Sequence, residues 1–108
     1  MAVVGLLLAL TACQSGAASG KVRGTDAELA CAAVSRLPER MPTADGGKEF
    51  DIALARLYGA EVLAKAAALA DAKFQPLADA LKEAHDLFNV TSDPQRADPA
   101  IKKARTYC

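Results

Sequence analysis

Apolar positions recur at helical spacing from Thr25 onward, which predicts a first helix. Thr25 and Glu28 have the spacing of a capping box, in which each side chain bonds the backbone N–H of the other residue. The apolar positions of this segment are Ala27, Ala30, Val34 and Leu37. Pro38 ends the helix, because the residue before a proline disfavours the helical conformation. Cys31 lies at the edge of the apolar stripe.

The longest helical segment is predicted from Lys48 to about Asp71, after a turn-rich connection over residues 38–47. It is apolar almost all round. Its narrow polar stripe consists of Asp51, Tyr58, Glu61 and Lys65. A helix with so little polar surface needs cover on more than one side, so we expect it to be central in the fold.

Two faces of this long helix differ in the size of their side chains. One face carries mostly small side chains, those of Ala55, Gly59, Val62, Ala66 and Ala70. We expect another helix to approach closely there, at some cost in helix stability from Gly59. The bulky side chains of Phe50, Leu54 and Leu57 lie on the opposite side.

A third helix is predicted to begin between Asp71 and Pro76, since proline is tolerated only in the first turn, and to run to about Asn89. Its two faces separate cleanly. The apolar face holds Leu77, Ala80, Leu81, Ala84, Leu87 and Phe88. The polar face holds Asp79, Lys82, Glu83 and Asp86.

Asp98 and Pro99 mark the start of a last helix, with Asp98 as the predicted cap and Pro99 at the first helical position. Ile101, Ala104 and Cys108 recur at i, i+3 and i+7, so Cys108 is expected to point toward the core. Four helices with short connections predict an all-α fold, a small four-helix bundle.

The composition supports this fold class and limits the classes of partner. Ala is the commonest residue and Val and Ile are few, which argues against an all-β fold. The 108 residues carry 13 basic and 13 acidic side chains, so charge gives no reason to expect nucleic acid as a partner.

A short apolar run over residues 2–10 precedes Cys13, and no charged residue occurs before Lys21. The run is about half the ~20 residues that a membrane-spanning helix needs, which predicts the hydrophobic segment of a signal peptide. Signal peptides normally begin with Lys or Arg, and a start codon placed too far downstream would explain their absence here. The alternative is an uncleaved apolar N-terminus in which Cys13 occurs by chance.

Leu10-Thr11-Ala12-Cys13 resembles the lipobox of bacterial lipoproteins. In that class the signal peptide is cut before the Cys, and the Cys sulfur carries a diacylglycerol. The resemblance implies a signal peptide over residues 1–12 and a lipid anchor at Cys13. The Gly, Ser and Ala residues that follow have the composition of a flexible tether, over residues 13–24. The folded bundle would then comprise residues 25–108.

The cysteine count is consistent with this organisation. Lipidation of Cys13 leaves Cys31 and Cys108, and in an oxidising compartment the simplest interpretation of this pair is a disulfide. It would join the first helix to the last and stabilise the domain by about 4.5 kcal/mol in the chain-entropy model. The alternative is a metal site, but zinc needs four ligands and only His85 is available to join two thiolates.

The cysteine pair, the lipobox and Ala-rich stretches such as residues 66–81 together resemble the small helical exported lipoproteins of actinobacteria. That resemblance implies a lipid anchor at the extracytoplasmic face of the cell membrane. It implies no activity.

Candidate catalytic chemistry is sparse. The single histidine, His85, lies at the border of the two faces of its helix, and the residues three or four positions away form no catalytic relay. We therefore expect a surface or boundary histidine. The carboxylates of Asp79, Glu83 and Asp86 are expected to form a solvated outer face. No cofactor or metal motif is present in the sequence, and an enzyme that uses His85 with Glu83 or Asp86 is the least favoured reading.

The sequence therefore favours a non-catalytic, lipid-anchored interaction module with an unknown partner at the cell surface. The alternative is a carrier or sensor of a small apolar ligand, held between the Phe50/Leu54/Leu57 side of the long helix and the Leu77/Leu81/Phe88 face. The candidate ligand or partner surface consists of Tyr58, Phe50, Leu57, Leu81 and Phe88.

Overall fold

The four predicted helices are present in the computed structural model, which describes residues 24–91 and 93–108. They are α1 (Asp26–Ser35), α2 (Lys48–Ala70), α3 (Gln75–Thr91) and α4 (Asp98–Thr106), with 3₁₀ turns at Ala72–Phe74 and Pro94–Ala97. No strand occurs in the described ranges. The predicted signal peptide, Cys13 and the tether up to residue 23 lie outside them. None of the helices that the structure describes has the length and hydrophobicity needed to span a membrane.

α1 begins at the predicted capping box. The Glu28 backbone N–H donates to Thr25 Oγ1 over 3.2 Å, and the Thr25 backbone N–H donates to Glu28 Oε1 over 3.4 Å. The helix ends at Ser35, and Leu37 just beyond it is 5% exposed, so the apolar stripe continues into the core past the helix end.

α2 packs against both α1 and α3, but the residues it buries lie on one continuous face, and the opposite face is not covered as expected. The buried residues are Ala53, Leu57, Ala60, Glu61, Ala64 and Ala67. The face predicted to receive another helix is turned to solvent instead: Val62 is 54% exposed, and a Cβ added at Gly59 would meet no atom within 4 Å. Because α2 is apolar on both faces, spacing alone did not decide which set of small side chains packs.

α3 follows a 3₁₀ turn whose first N–H groups are capped by Asp71, with Lys73 N donating to Asp71 Oδ1 over 3.0 Å. Pro76 lies in the first turn of α3, as predicted. The separation of its faces is also confirmed. Leu77, Ala80, Leu81, Ala84 and Phe88 are buried, whereas Asp79, Lys82, Glu83 and Asp86 are exposed.

α4 begins at Asp98, one residue before the predicted first position Pro99, and Asp98 is not its cap. Asp98 Oδ1 accepts a hydrogen bond from the backbone N–H of Met41 over 2.9 Å, and the cap position is held by Ala97 without a side-chain bond. Arg105 Nη2 donates to the carbonyl of Leu37 over 2.8 Å. Together these bonds fix the connection between α1 and α2 onto α4, and Met41 is fully buried there.

The helices pack in chain order around a shared apolar core, with α1 on α2, α2 on α3, α3 on α4 and α4 back on α1. The disulfide between Cys31 and Cys108, with Cα atoms 5.6 Å apart, joins the first helix to the end of the chain. Cys108 is exposed, contrary to the prediction that it points at the core. The reason is that α4 ends at Thr106, so the helical spacing does not reach Cys108.

Candidate functional site

A buried carboxylate lies at the contact between α2 and α3. Glu61 is 5% exposed, and no other charged residue in the described ranges is buried. Its Oε2 atom lies 2.5 Å from Nδ1 of His85 on α3, and its Oε1 atom lies 3.7 Å from Nζ of Lys65, one turn further along α2. Both carboxylate oxygens therefore have a partner, which offsets the cost of burying the charge.

His85 lies at the boundary of the core, as the sequence predicted, but its contacts with α2 were not predicted. Its side chain is 14% exposed, and its ring meets the ring of Tyr58 edge-on, with centroids 4.5 Å apart and an interplanar angle of 70°. An edge-on contact of this kind is a favourable aromatic geometry. Tyr58, Glu61 and His85 therefore form one cluster, which bridges α2 and α3.

The neighbours of His85 within its own helix do not reveal this cluster. The partner of His85 lies on another helix, and sequence spacing within α3 contains no information about it. One signal was available: Glu61 lies four positions after Leu57 and three before Ala64, in register with the buried face of α2. A carboxylate in that register needs a partner from the facing helix.

An exposed charged pair on α3 interacts electrostatically with the cluster. Lys82 Nζ lies 2.6 Å from Asp86 Oδ2 on the exposed face of α3. This hydrogen bond holds the pKa of Asp86 below its ordinary value and raises the pKa of Lys82. Glu61 also favours the charged form of Lys82, and His85 lowers the pKa of Asp86 further.

The five residues predicted as a ligand or partner surface do not share one surface. Leu57 and Leu81 are fully buried, and Phe88 is 7% exposed. Phe50 is half-buried and stacks on Phe88, with ring centroids 5.2 Å apart. Only Tyr58, 52% exposed, reaches solvent substantially. The bulky side chains of α2 and α3 thus pack against one another in the core, in the space assigned to the small apolar ligand of the carrier hypothesis.

An apolar surface lies instead on the side of α2 opposite its buried face. We define the outer face of α2 as Ile52, Ala55, Gly59, Val62, Ala66 and Leu69. Ile52 is 39% exposed, Val62 54% and Leu69 91%. The six positions contain no charge and extend over about 26 Å at the rise of an α-helix. Tyr58, the exposed member of the buried cluster, lies at one edge of this face.

The exposed carboxylates of α3 do not form a metal site. Asp79, Glu83 and Asp86 line a shallow groove with Lys82, Leu87 and Val90. Within the part of the chain that the structure describes, no three His, Cys, Asp or Glu side chains are placed to hold a metal ion together.

No protein-family model, curated protein or solved structure matches this chain significantly. The candidate site is therefore defined by geometry alone: the Tyr58, Glu61 and His85 cluster, which fixes α2 on α3, and the outer face of α2, which is left open to solvent.

Proposed function

We propose that the chain is a lipid-anchored extracytoplasmic protein whose helical bundle binds a partner through the outer face of α2, without catalysing a reaction. The observation that carries this proposal is the exposure of an uncharged apolar stripe over residues 52–69 of the longest helix. A surface helix normally presents charged and polar side chains outward, and exposed apolar patches mark interaction sites in soluble domains.

The Glu61–His85 pair supports a binding role. It holds α2 against α3 by a contact other than apolar packing, and it places the ring of Tyr58 at the edge of the outer face. Tyrosine is enriched among residues that dominate binding energy, because it presents a large rigid ring with a polar end. A partner would thus meet a surface whose orientation is fixed before binding, which lowers the entropy lost on association.

The lipobox supports the anchor. Two acyl chains on one cysteine hold a protein stably on a membrane, whereas one chain gives only marginal binding. A flexible tether of about 12 residues has a root-mean-square length of about 20 Å, so the bundle would remain close to the membrane surface. At that distance the outer face of α2 meets partners in the same membrane or in the adjoining envelope.

The anchor is tested by metabolic labelling of the full chain with a palmitate analogue, followed by membrane fractionation. We expect the label on the wild-type protein and none on Cys13→Ser, which should also leave the membrane fraction. Cys31→Ser is the matched control and should remain labelled. Equal labelling or equal membrane retention of wild type and Cys13→Ser would exclude the lipid anchor.

The binding surface is tested with a photo-crosslinking amino acid at position 62 of the full chain in its own cells. Val90 is the matched control, because it is a valine that is 80% exposed but lies on α3. We expect a crosslinked product of defined mass from position 62 and little from position 90. The proposal fails if position 62 gives no product, or if both positions give the same products.

A further inference from the structure

The outer face of α2 has the spacing of a coiled-coil seam. Ile52, Gly59 and Ala66 recur every seven residues, and Ala55, Val62 and Leu69 recur every seven residues three positions later. Apolar residues at these two heptad positions characterise helices that pack along one another. Since the bundle packs against the other side of α2, this seam has no partner among the described helices.

The charges beside the seam show which kind of helix would fit. Asp51 and Lys65 lie on the same flank of α2, each seven residues from Tyr58, and both are exposed. If a second α2 runs antiparallel along the seam, Asp51 of each copy lies beside Lys65 of the other. The two Tyr58 side chains then meet on this flank near the twofold axis. The flank is therefore complementary to itself in the antiparallel direction.

Side-chain size agrees with the same arrangement. In an antiparallel pair, each residue of the set Ile52, Gly59 and Ala66 faces a residue of the set Ala55, Val62 and Leu69 in the other copy. Ile52 therefore faces Leu69 of the other copy. Ala55 faces Ala66, and Gly59 faces Val62. The largest residues thus meet at the two ends, and Gly59 leaves room for Val62 at the centre, since nothing lies within 4 Å of a Cβ built there.

We infer that the partner bound by the outer face of α2 is a second copy of this chain, packed antiparallel through the seam. This inference rests on the proposed function, because the anchor supplies the concentration that such an association needs. A single helical seam with several small side chains is below the area of a standard stable interface, so association in dilute solution is expected to be weak. Anchoring both copies in one membrane raises their effective concentration.

The test uses two differently tagged full-length copies in the same cells, both with the photo-crosslinking amino acid at position 62. We expect a product that carries both tags and has twice the monomer mass. Peptide mapping should join position 62 of one copy to the region around Gly59 of the other. Position 90 on α3 should give no doubly tagged product.

Charge exchange tests the direction of packing. Asp51→Lys places two lysines side by side at each end of the antiparallel seam, so we expect the doubly tagged product to fall at least about tenfold. The double variant Asp51→Lys with Lys65→Asp should restore it. In a parallel dimer the neighbour of Asp51 would be Arg56. The antiparallel arrangement is therefore wrong if Asp51→Arg with Arg56→Asp restores the doubly tagged product and Asp51→Lys with Lys65→Asp does not. Circular dichroism of each purified variant checks that the bundle is folded.

The remaining outcomes separate this inference from the proposed function. A product between position 62 and a different protein would overturn the second copy as partner and leave the interaction module standing. A product within one chain, between position 62 and residues 1–23, would also overturn it. No product at position 62 would contradict both.

Discussion

At the scale of single residues, the Glu61–His85 contact is the interaction that joins α2 to α3 most specifically. We expect His85→Ala to lower the free energy of unfolding by about 2 kcal/mol, because it leaves a buried carboxylate with only a 3.7 Å contact to Lys65. Urea denaturation followed by circular dichroism measures the loss. Lys65→Ala is the control and should cost less than about 0.5 kcal/mol, since Lys65 is mostly exposed.

A double variant tests whether Glu61 and His85 act together. Replacing both residues by leucine removes the buried charge together with its partner, so Glu61→Leu with His85→Leu should be more stable than His85→Ala alone. The single variants Glu61→Leu and His85→Leu complete the cycle. If the loss of stability in the double variant equals the sum of their two losses, the two residues act independently, and the cluster does not hold α2 on α3.

Replacing Gly59 is expected to raise the free energy of unfolding. It lies inside α2, and an added Cβ would meet nothing within 4 Å, so Gly59→Ala should stabilise the monomer by about 0.5–1 kcal/mol through helix propensity. Gly47→Ala is the matched control. Its added Cβ would also meet nothing, but its φ of 61° strains an alanine, and this variant should be destabilised. Thermal unfolding at low micromolar concentration compares the two.

The Lys82–Asp86 contact makes the stability weakly dependent on pH. Because the folded-state pKa of Asp86 is lowered, its contribution is present above the unfolded pKa and is lost as pH falls through the folded value. The raised pKa of Lys82 gives a contribution that is present below its unfolded pKa and lost as pH rises through the folded value. We expect Lys82→Met to move the pKa of Asp86 upward toward its ordinary value, measured by carboxyl NMR titration. An unchanged titration of Asp86 would contradict the assignment of Lys82 as the cause.

At the scale of the elements, the connection between α1 and α2 depends on α4. Asp98→Ala removes the acceptor of the Met41 N–H, which lies at a buried residue, so we expect a loss of about 1–2 kcal/mol. Hydrogen exchange should show faster exchange of the Met41 amide. Asp93→Ala, which removes the cap of the preceding 3₁₀ turn, should leave that amide unchanged. Equally fast exchange of the Met41 amide in both variants would contradict the assignment of Asp98 as its acceptor.

These elements also show what the sequence could predict. The starts of α1 and α3 were predictable, because the Thr25–Glu28 box and Pro76 act on their own backbone, whereas α1 ends at Ser35, before the predicted stop at Pro38. The role of Asp98 was not, since its partner Met41 lies 57 residues away. For the same reason, the Glu61–His85 pair could not be derived from neighbours along α3. The orientation of α2 was ambiguous because both of its faces are apolar, and contacts with α1 and α3 decide which face is buried.

At the scale of the whole molecule, the Cys31–Cys108 disulfide constrains nearly all of the described chain. With 77 residues of sequence separation, its removal should cost about 4.5 kcal/mol in the chain-entropy model. Cys31→Ser with Cys108→Ser, compared with the oxidised wild type by urea denaturation, measures this loss. Two titratable thiols in the mature protein without reductant would contradict the disulfide.

The central claim is that the outer face of α2 is covered in the cell and open in the isolated monomer. Hydroxyl-radical footprinting tests it directly, by comparing side-chain oxidation of the anchored protein in intact cells with that of the purified full chain in detergent at low concentration. We predict that Val62 and Leu69 are oxidised several-fold less in cells, while Val90 on α3 changes little. Equal oxidation of Val62 in both samples, relative to Val90, would contradict the claim.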